Sequence, residues 1–280
     1  LYTRWRQFGA FNPLSRIHHE GDNPVEPWLF GPEAEKNAKA AIELKYRLLP
    51  YIYTYAREAH DTGLPIMRPL FMEYPMDMET FSTDAQFLFG QELLVAPVVK
   101  KGARTKNVYL PEGTWIDYNN RKTTYIGEQW TTVEAPLSSI PMFVKQGSVI
   151  PTMPVMNYTH EKPVYPLIFE VFPAAKGEEA SFTLYEDEGE NEDGYHLSVG
   201  AREGKGYTVP GPRNFVFRIY LKTAPKGVTV QGTKVKKVKP ERLEENMDSD
   251  TESLVWSWDK ETGICSLRMD GRYSCFCFPA

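Results

Sequence analysis

The chain has 280 residues, 41% of them hydrophobic and 13% aromatic, which is enough for one large domain or two ordinary ones with real cores. Its 32 basic and 37 acidic residues leave a net charge of -5, which argues against a nucleic-acid binder with its basic face. The longest apolar stretches, such as LLVAPVV at 93–99, fall far short of the roughly 20 residues a membrane span requires, so no membrane partner is expected.

Residues 1–21, LYTRWRQFGAFNPLSRIHHEG, show neither the short apolar run of a buried strand nor the three-and-four repeat of an amphipathic helix. Trp5, Phe8 and Phe11 are interleaved with arginines and two adjacent histidines, a mixture that suits the wall of a concave site. The first residue is leucine and no charged-then-apolar leader follows it, so a cut or processed chain is expected.

Gly31-Pro32-Glu33-Ala34-Glu35 predicts a helix start, with proline where its missing N–H costs nothing and acids facing the positive end of the dipole. Apolar residues from Ala38 to Ala59 keep a helical stripe that Gly63 and Pro65 end. Pro50 lies inside this run and should kink it or split it in two. The tyrosines of YIYTYAREA fall on several helix faces and read as packing residues.

From Gln86 onward the pattern changes to short strands punctuated by glycine and proline: QFLF, LLVAPVV, NVYLP, TWIDY, TTYI, IPMFV, PLIFEVF, ASFTLYE, NFVFRIYLK, VTVQ, LVWSW, GICSLRM and YSCFCF. Phe215, Phe217, Ile219 and Leu221 alternate, predicting one buried and one wetter face. Such spacing predicts antiparallel sandwiches, and the proline-rich stretch PTMPVMNYTHEKPVYP at 151–166 marks a boundary between two of them.

Cys265, Cys275 and Cys277 are the only cysteines. Asp270-Gly271 is the preferred pair for a two-residue hairpin, and that register sets Cys265 opposite Phe276. Cys275 and Cys277 would then face away from Cys265 and lie about 6.6 Å apart along one strand, beyond disulfide reach. Three free thiols are expected.

EDEGENED at 186–193 carries enough oxygens for calcium but departs from the spacing of an EF-hand loop, so a solvated acidic loop is the simpler reading. TKVKKVKPER at 233–242 reads as a charged edge strand that guards against aggregation.

The blocks RWRQFGAFNPLSRIHH, EPWLFG, YRLLPYIYTYAREAHDTGLPIMRPLFMEYP, QFLFGQELLVAPVV, VYLPEGTWIDY, APLSSIPMFVKQGSVIP and LYEDEG stand in one order over residues 1 to about 190. Together they resemble the C-terminal part of retaining α-glucosidases and α-xylosidases of glycoside hydrolase family 31. The resemblance implies a mainly β fold: two antiparallel β-sandwich domains preceded by a helical segment that is the C-terminal remnant of a (β/α)8 barrel. The expected domains are residues 1–80, the last strand-helix part of the barrel; 81–157, a proximal sandwich; and 158–280, a distal sandwich. A whole barrel takes about 250 residues, and only about 80 precede the strands.

The family's nucleophile and general acid/base are aspartates upstream of the R-x-H block, and neither motif occurs here. No catalytic residue is therefore assigned to this chain, and alone it should be inactive. His18 matches the family histidine facing the non-reducing sugar, where a neutral imidazole both donates to and accepts from ring hydroxyls. Arg16 is expected to brace that loop against a carboxylate of the barrel and Trp5 to stack on sugar; the alternatives are that His18 and His19 are merely loop residues with backbone partners and that Trp5 is a core position. By the resemblance the activity needs no metal or cofactor, and the partners are an α-linked oligosaccharide and the protein's own upstream catalytic barrel. A different class of function is a carbohydrate-binding module, with Trp115, Trp130, Trp256 and Trp258 as exposed platforms.

Overall fold

The computed structural model describes residues 1–21, 24–159, 161–162, 164–175, 178–187, 195–202, 214–245, 254–270 and 276–277. It divides into two compact units, one of Leu1–Tyr46 with Glu58–Lys145 and one of Arg47–Arg57 with Gln146–Ala280.

The first unit opens with a helix, α1 (Tyr2–Gly9), where the sequence shows no helical period. Its inward face explains why. Thr3 and Gln7, one turn apart, are the buried residues, so the stripe that marks the helix is polar rather than apolar. Gln7 Nε2 donates to the Leu137 carbonyl at 2.8 Å. Arg4 Nη1 donates to the carbonyls of Ser139 at 2.8 Å and Pro136 at 3.1 Å, and Nη2 to that of Ala135 at 2.5 Å. Hydrogen bonds to a loop thus dock this helix.

Helix α2 (Pro32–Arg47) begins at the expected proline with Glu33 and Glu35 in its first turn, and it buries Ala34, Asn37, Ala38 and Ala41. It stops at Arg47 and α3 (Leu49–Thr62) starts two residues later, the split that Pro50 demands because it has no N–H to give the preceding turn. Gly63, at φ +78°, closes α3 by donating its N–H to the Ala59 carbonyl at 3.0 Å.

The strands of the first unit are β1 (Met67–Arg68), β2 (Phe87–Phe89), β3 (Leu93–Val95), β4 (Thr105–Leu110), β5 (Thr114–Asp117), β6 (Thr124–Ile126), β7 (Gln129–Glu134) and β8 (Met142–Lys145), with a short helix α4 (Leu70–Glu73) after β1. One sheet runs in the order β1-β2-β3-β8-β5-β6, and β4 pairs with β7 in a second. Leu88, Leu94, Val108, Leu110, Trp115, Val133 and Phe143 from the two sheets meet in one core, which makes this a sandwich. Arg68, fully buried on β1, gives its guanidinium to Glu58 and Glu73 at 2.5 Å each and to the Pro65 carbonyl at 2.8 Å.

The second unit carries β9 (Val149–Thr152), β10 (Leu167–Val171), β11 (Glu179–Glu186), β12 (Tyr195–Arg202), β13 (Asn214–Tyr220), β14 (Thr229–Val230), β15 (Thr233–Lys234), β16 (Lys236–Lys237), helix α5 (Pro240–Glu245), β17 (Val255–Asp259), β18 (Ile264–Asp270) and β19 (Phe276–Cys277). The main sheet runs β16-β17-β18-β13-β10-β9, beside a β11-β12 pair and a β15-β14-β19 sheet. Among the described residues the ladders are antiparallel except β10 with β13 and β16 with β17, which are parallel. The proline-rich stretch connects β9 to β10, which pair with each other within this unit. Tyr51 and Tyr55 of α3 are buried, with ring centroids 5.7 and 6.1 Å from Phe182 on β11.

Three expectations are corrected here. The second face of strand β13 is mostly covered: Val216 is buried like Phe215, Phe217 and Ile219, because it packs with Leu243 of α5 and with Val255, and Arg218 alone of the strand stays half-exposed. The hairpin pairing of Cys265 with Phe276 does not form. A strand has two edges, and those of β18 are taken by β13 and β17, leaving Phe276 to pair with Val230. Cys265 is a buried free thiol; Cys275 and the Cys277 side chain lie outside what is described. The charged stretch 233–242 is not one edge strand: Thr233–Lys234 pairs with β14, Lys236–Lys237 forms an exposed edge of the main sheet, and Pro240 opens α5, whose proline suits a helix start.

Candidate functional site

The loop after α1 is built from a buried base and an exposed tip. At the base, Phe11 is fully buried and sets its ring edge-on to Phe89, centroids 5.4 Å apart. The helix end is closed by N–H groups of Phe11 and Asn12, which donate to the carbonyls of Phe8 at 3.0 Å and Gly9 at 3.3 Å. Lys45, one turn from the end of α2, reaches across: its Nζ donates to the Asn12 carbonyl and, at 3.4 Å, to that of Pro13. Burial pushes the ammonium pKa of Lys45 down. Nothing in the sequence marked this lysine, which sits in a helical run like any surface cation.

Beyond Pro13 every residue to Gly21 is exposed, Leu14 at 91%. Arg16, His18 and His19 belong to this tip, and among the described residues neither Arg16 nor His18 has a hydrogen-bond partner. The sequence treated Trp5, Phe8 and Phe11 together, and the structure grades them: Phe11 is core, Phe8 is half-buried against Phe87, and Trp5 is 59% exposed. Trp5 lies with Arg4, Phe71, Phe81 and Asp84 around a cavity of about 640 Å³ in the first unit, which Arg16 and His18 do not line. The cavity that Trp5 lines is therefore not one that His18 shares.

Arg4, at the same helix, has its pKa lowered first by burial and then by the charge of Arg104. Among the described residues, no group of three His, Cys, Asp or Glu side chains could hold a metal ion.

The tryptophans separate as well. Trp115 is fully buried and donates Nε1 to the Pro111 carbonyl at 2.9 Å; Trp256 is buried, donates to the Val235 carbonyl at 3.2 Å and lies under Lys237. Trp258 is half-buried, and Trp130 is 43% exposed, its indole N–H on Glu79 at 3.0 Å. Two of the four proposed platforms are thus core residues.

In the second unit the LYEDEG block meets α3. Tyr53 donates its hydroxyl to both Asp187 carboxylate oxygens at 2.7 Å, and this bond, with burial, pushes the phenol up to about 12. Arg57 donates to the Tyr185 hydroxyl at 3.1 Å and lies 4.9 Å over that ring. The rest of the acidic loop, 188–193, lies outside the described residues.

Comparison with known proteins agrees with this arrangement. Residues 1–55 match the TIM-barrel domain of glycosyl hydrolases family 31, and residues 63–150 match the C-terminal domain of the same family. A 1,6-alpha-glucosyltransferase of Sporosarcina globispora is 39% identical over 191 residues, and alpha-glucosidase 2 of Bacillus thermoamyloliquefaciens is 40% identical over 191. Each alignment covers 68% of this chain but only 15% and 24% of those proteins. A GH31 dextranase variant of Flavobacterium johnsoniae, solved with isomaltotriose, has a TM-score of 0.92 and 53% identity across 98% of this chain and 36% of its own. A GH31 alpha-xylosidase of Xanthomonas citri has a TM-score of 0.70 and 32% identity, covering 78% of this chain and 25% of its own. This chain belongs to glycoside hydrolase family 31, in which it corresponds to the end of the TIM-barrel domain and the β-structure that follows.

Proposed function

We propose that the chain is the C-terminal portion of a retaining α-glycosidase of the α-glucosidase type, which releases sugar from the non-reducing end of α-glycosides. The observation that carries this reading is the 53% identity to a dextranase over nearly the whole chain, while that chain extends well beyond what is matched. Retaining hydrolysis needs two carboxyl groups about 5 to 5.5 Å apart across the glycosidic bond, one as nucleophile and one as acid/base. In this reading both belong to the upstream catalytic barrel, the partner of this portion, so the chain alone binds no transition state and turns over nothing. No cofactor or metal takes part.

His18 in this reading hydrogen-bonds hydroxyls of the sugar in the non-reducing subsite, Arg16 braces the loop against a barrel carboxylate, and Trp5 stacks on the substrate. The exposed tip, where neither Arg16 nor His18 has a hydrogen-bond partner among the described residues, supports this, since a barrel and a sugar could complete such groups. Trp5 has the weakest support, since it lines a different cavity. We carry the module limits 1–80, 81–157 and 158–280 as part of the reading, with β9 contributed to the sheet of the last one.

A chromogenic α-glucoside tests the assignment. The 280-residue chain should give no hydrolysis above background, and the complete protein should give turnover that His18→Ala cuts by about 5- to 150-fold, the effect of about 1 to 3 kcal/mol for an unmade buried bond. Turnover by the chain alone would place the carboxylates within it, and an unaffected His18→Ala rate would leave the histidine a structural job. The identity to an α-xylosidase favours a second reading, distinguished by comparing α-glucoside with α-xyloside. A carbohydrate-binding module retains only Trp130 as a well-exposed platform; saturable quenching of tryptophan fluorescence by isomaltose in the chain, lost in Trp130→Ala, would favour it.

A further inference from the structure

After buried Phe11 and half-buried Asn12, every residue from Pro13 to Gly21 is exposed. Between the buried ring and the exposed tip, the side-chain grip given by the described residues outside the segment is the Lys45 ammonium on the carbonyls of Asn12 and Pro13. Pro13 itself contributes a fixed φ and no N–H, so the course of the loop is set by a stiff residue whose carbonyl is tied to a helix. An ammonium has three donors in one compact group, which suits two adjacent carbonyls, and its partial burial makes the position costly unless those bonds are made.

We propose that Lys45 is a positioning residue for the sugar-facing loop: by fixing the carbonyls of Asn12 and Pro13 it sets the direction in which Arg16 and His18 leave the core. This deepens the reading of His18 as a sugar ligand and rests on it. Lys45 touches neither the sugar nor the reacting atoms, and it acts through the histidine five residues beyond Pro13. A misplaced ligand loses binding in the transition state even when the chemistry itself is untouched.

The test uses the complete protein and p-nitrophenyl α-glucoside. Lys45→Met keeps the aliphatic stem and removes the donors, and it should lower kcat/KM by about tenfold to a hundredfold, the scale of a misplacement near 1 Å. Lys45→Arg should restore most of that loss, since it returns donors to both carbonyls. Added to His18→Ala, Lys45→Met should cost nothing further, because a positioning residue has nothing left to position. Hydrogen exchange of the amides of residues 14–19 should quicken severalfold in Lys45→Met, with those of α2 unchanged. Multiplying losses in the double variant, wild-type kinetics, or unchanged exchange would overturn the proposal. Failure of the sugar-ligand reading looks different: His18→Ala is then harmless although exchange in the loop still rises.

Discussion

Cys265 shows what burial does to a titratable group even against a nearby positive charge, that of Lys237. It sits on β18 between Ile219 and Trp258, fully buried, and loss of water pushes its thiol from 9.0 up to about 12. Because the folded value lies above the unfolded one, the protonated thiol is favoured by the fold; its contribution is complete below pH 9 and is lost as pH rises toward 12. Tyr53 titrates over an overlapping range, from 10.0 to about 12, for a different reason, the hydrogen bond it gives Asp187. The urea midpoint should therefore fall between pH 9 and 11, and Cys265→Val should remove part of that slope while Tyr53→Phe removes another part. At pH 8 a thiol reagent should label the peptide containing Cys265 only after denaturant is added, read by mass spectrometry. Labelling of that peptide in the native chain would mean the thiol is not sealed in the sheet.

At the scale of elements, α1 is the least ordinary piece, since hydrogen bonds rather than an apolar stripe hold it to the loop at 135–139. Arg4→Met preserves the length of the stem and removes every donor, so it should lower stability by about 2 kcal/mol, a modest figure because the guanidinium is only partly buried. Arg4→Lys should recover only a fraction, as a single point of charge cannot fork across three carbonyls. Urea denaturation checks both, and an unchanged midpoint for Arg4→Met would show that the helix docks by other contacts. The same helix shows where sequence reading stops. Proline and glycine act through their own backbones, so Pro32, Pro50 and Gly63 announce the ends of α2 and α3 without any knowledge of the rest. Gln7 and Arg4 act through carbonyls more than 90 residues away, so α1 is invisible to a search for local period. The two-sided burial of β13 and the lost hairpin of β18 fail for the same reason, since neighbours brought by the fold decide which edges and faces are free. For the loop, its mixture of rings and cations sets it apart in the sequence, while the grip of Lys45 on its base could be seen only in three dimensions.

The whole molecule carries a mismatch between its first residues and water. Leu1 at 77% exposure, Trp28 at 62%, Leu29 at 52% and Phe30 at 47% join Trp5 and Leu14 in offering large apolar side chains within the segment that matches a TIM-barrel domain. Exposed single hydrophobics are ordinary, but this many within 30 residues is what a surface meant for covering looks like. Residues 15–19 point the same way: they match a domain of paired strands, yet no ladder includes them among the described residues. A chain that covers 36% of its solved relative is accordingly expected to behave in isolation as one with an open face. It should enhance the fluorescence of an apolar dye at neutral pH and sediment as a concentration-dependent mixture of monomer and larger species. Replacing Trp28 and Leu29 together by glutamine should reduce both effects while leaving the unfolding transition of the sheets in place, because neither side chain is in the core. Under the proposal that an upstream barrel covers that face, the complete protein should show little of either. A 280-residue chain that stays monomeric across a hundredfold range of concentration and ignores the dye would mean that this face needs no cover, and the reading of the chain as part of a larger catalytic body would lose its physical support.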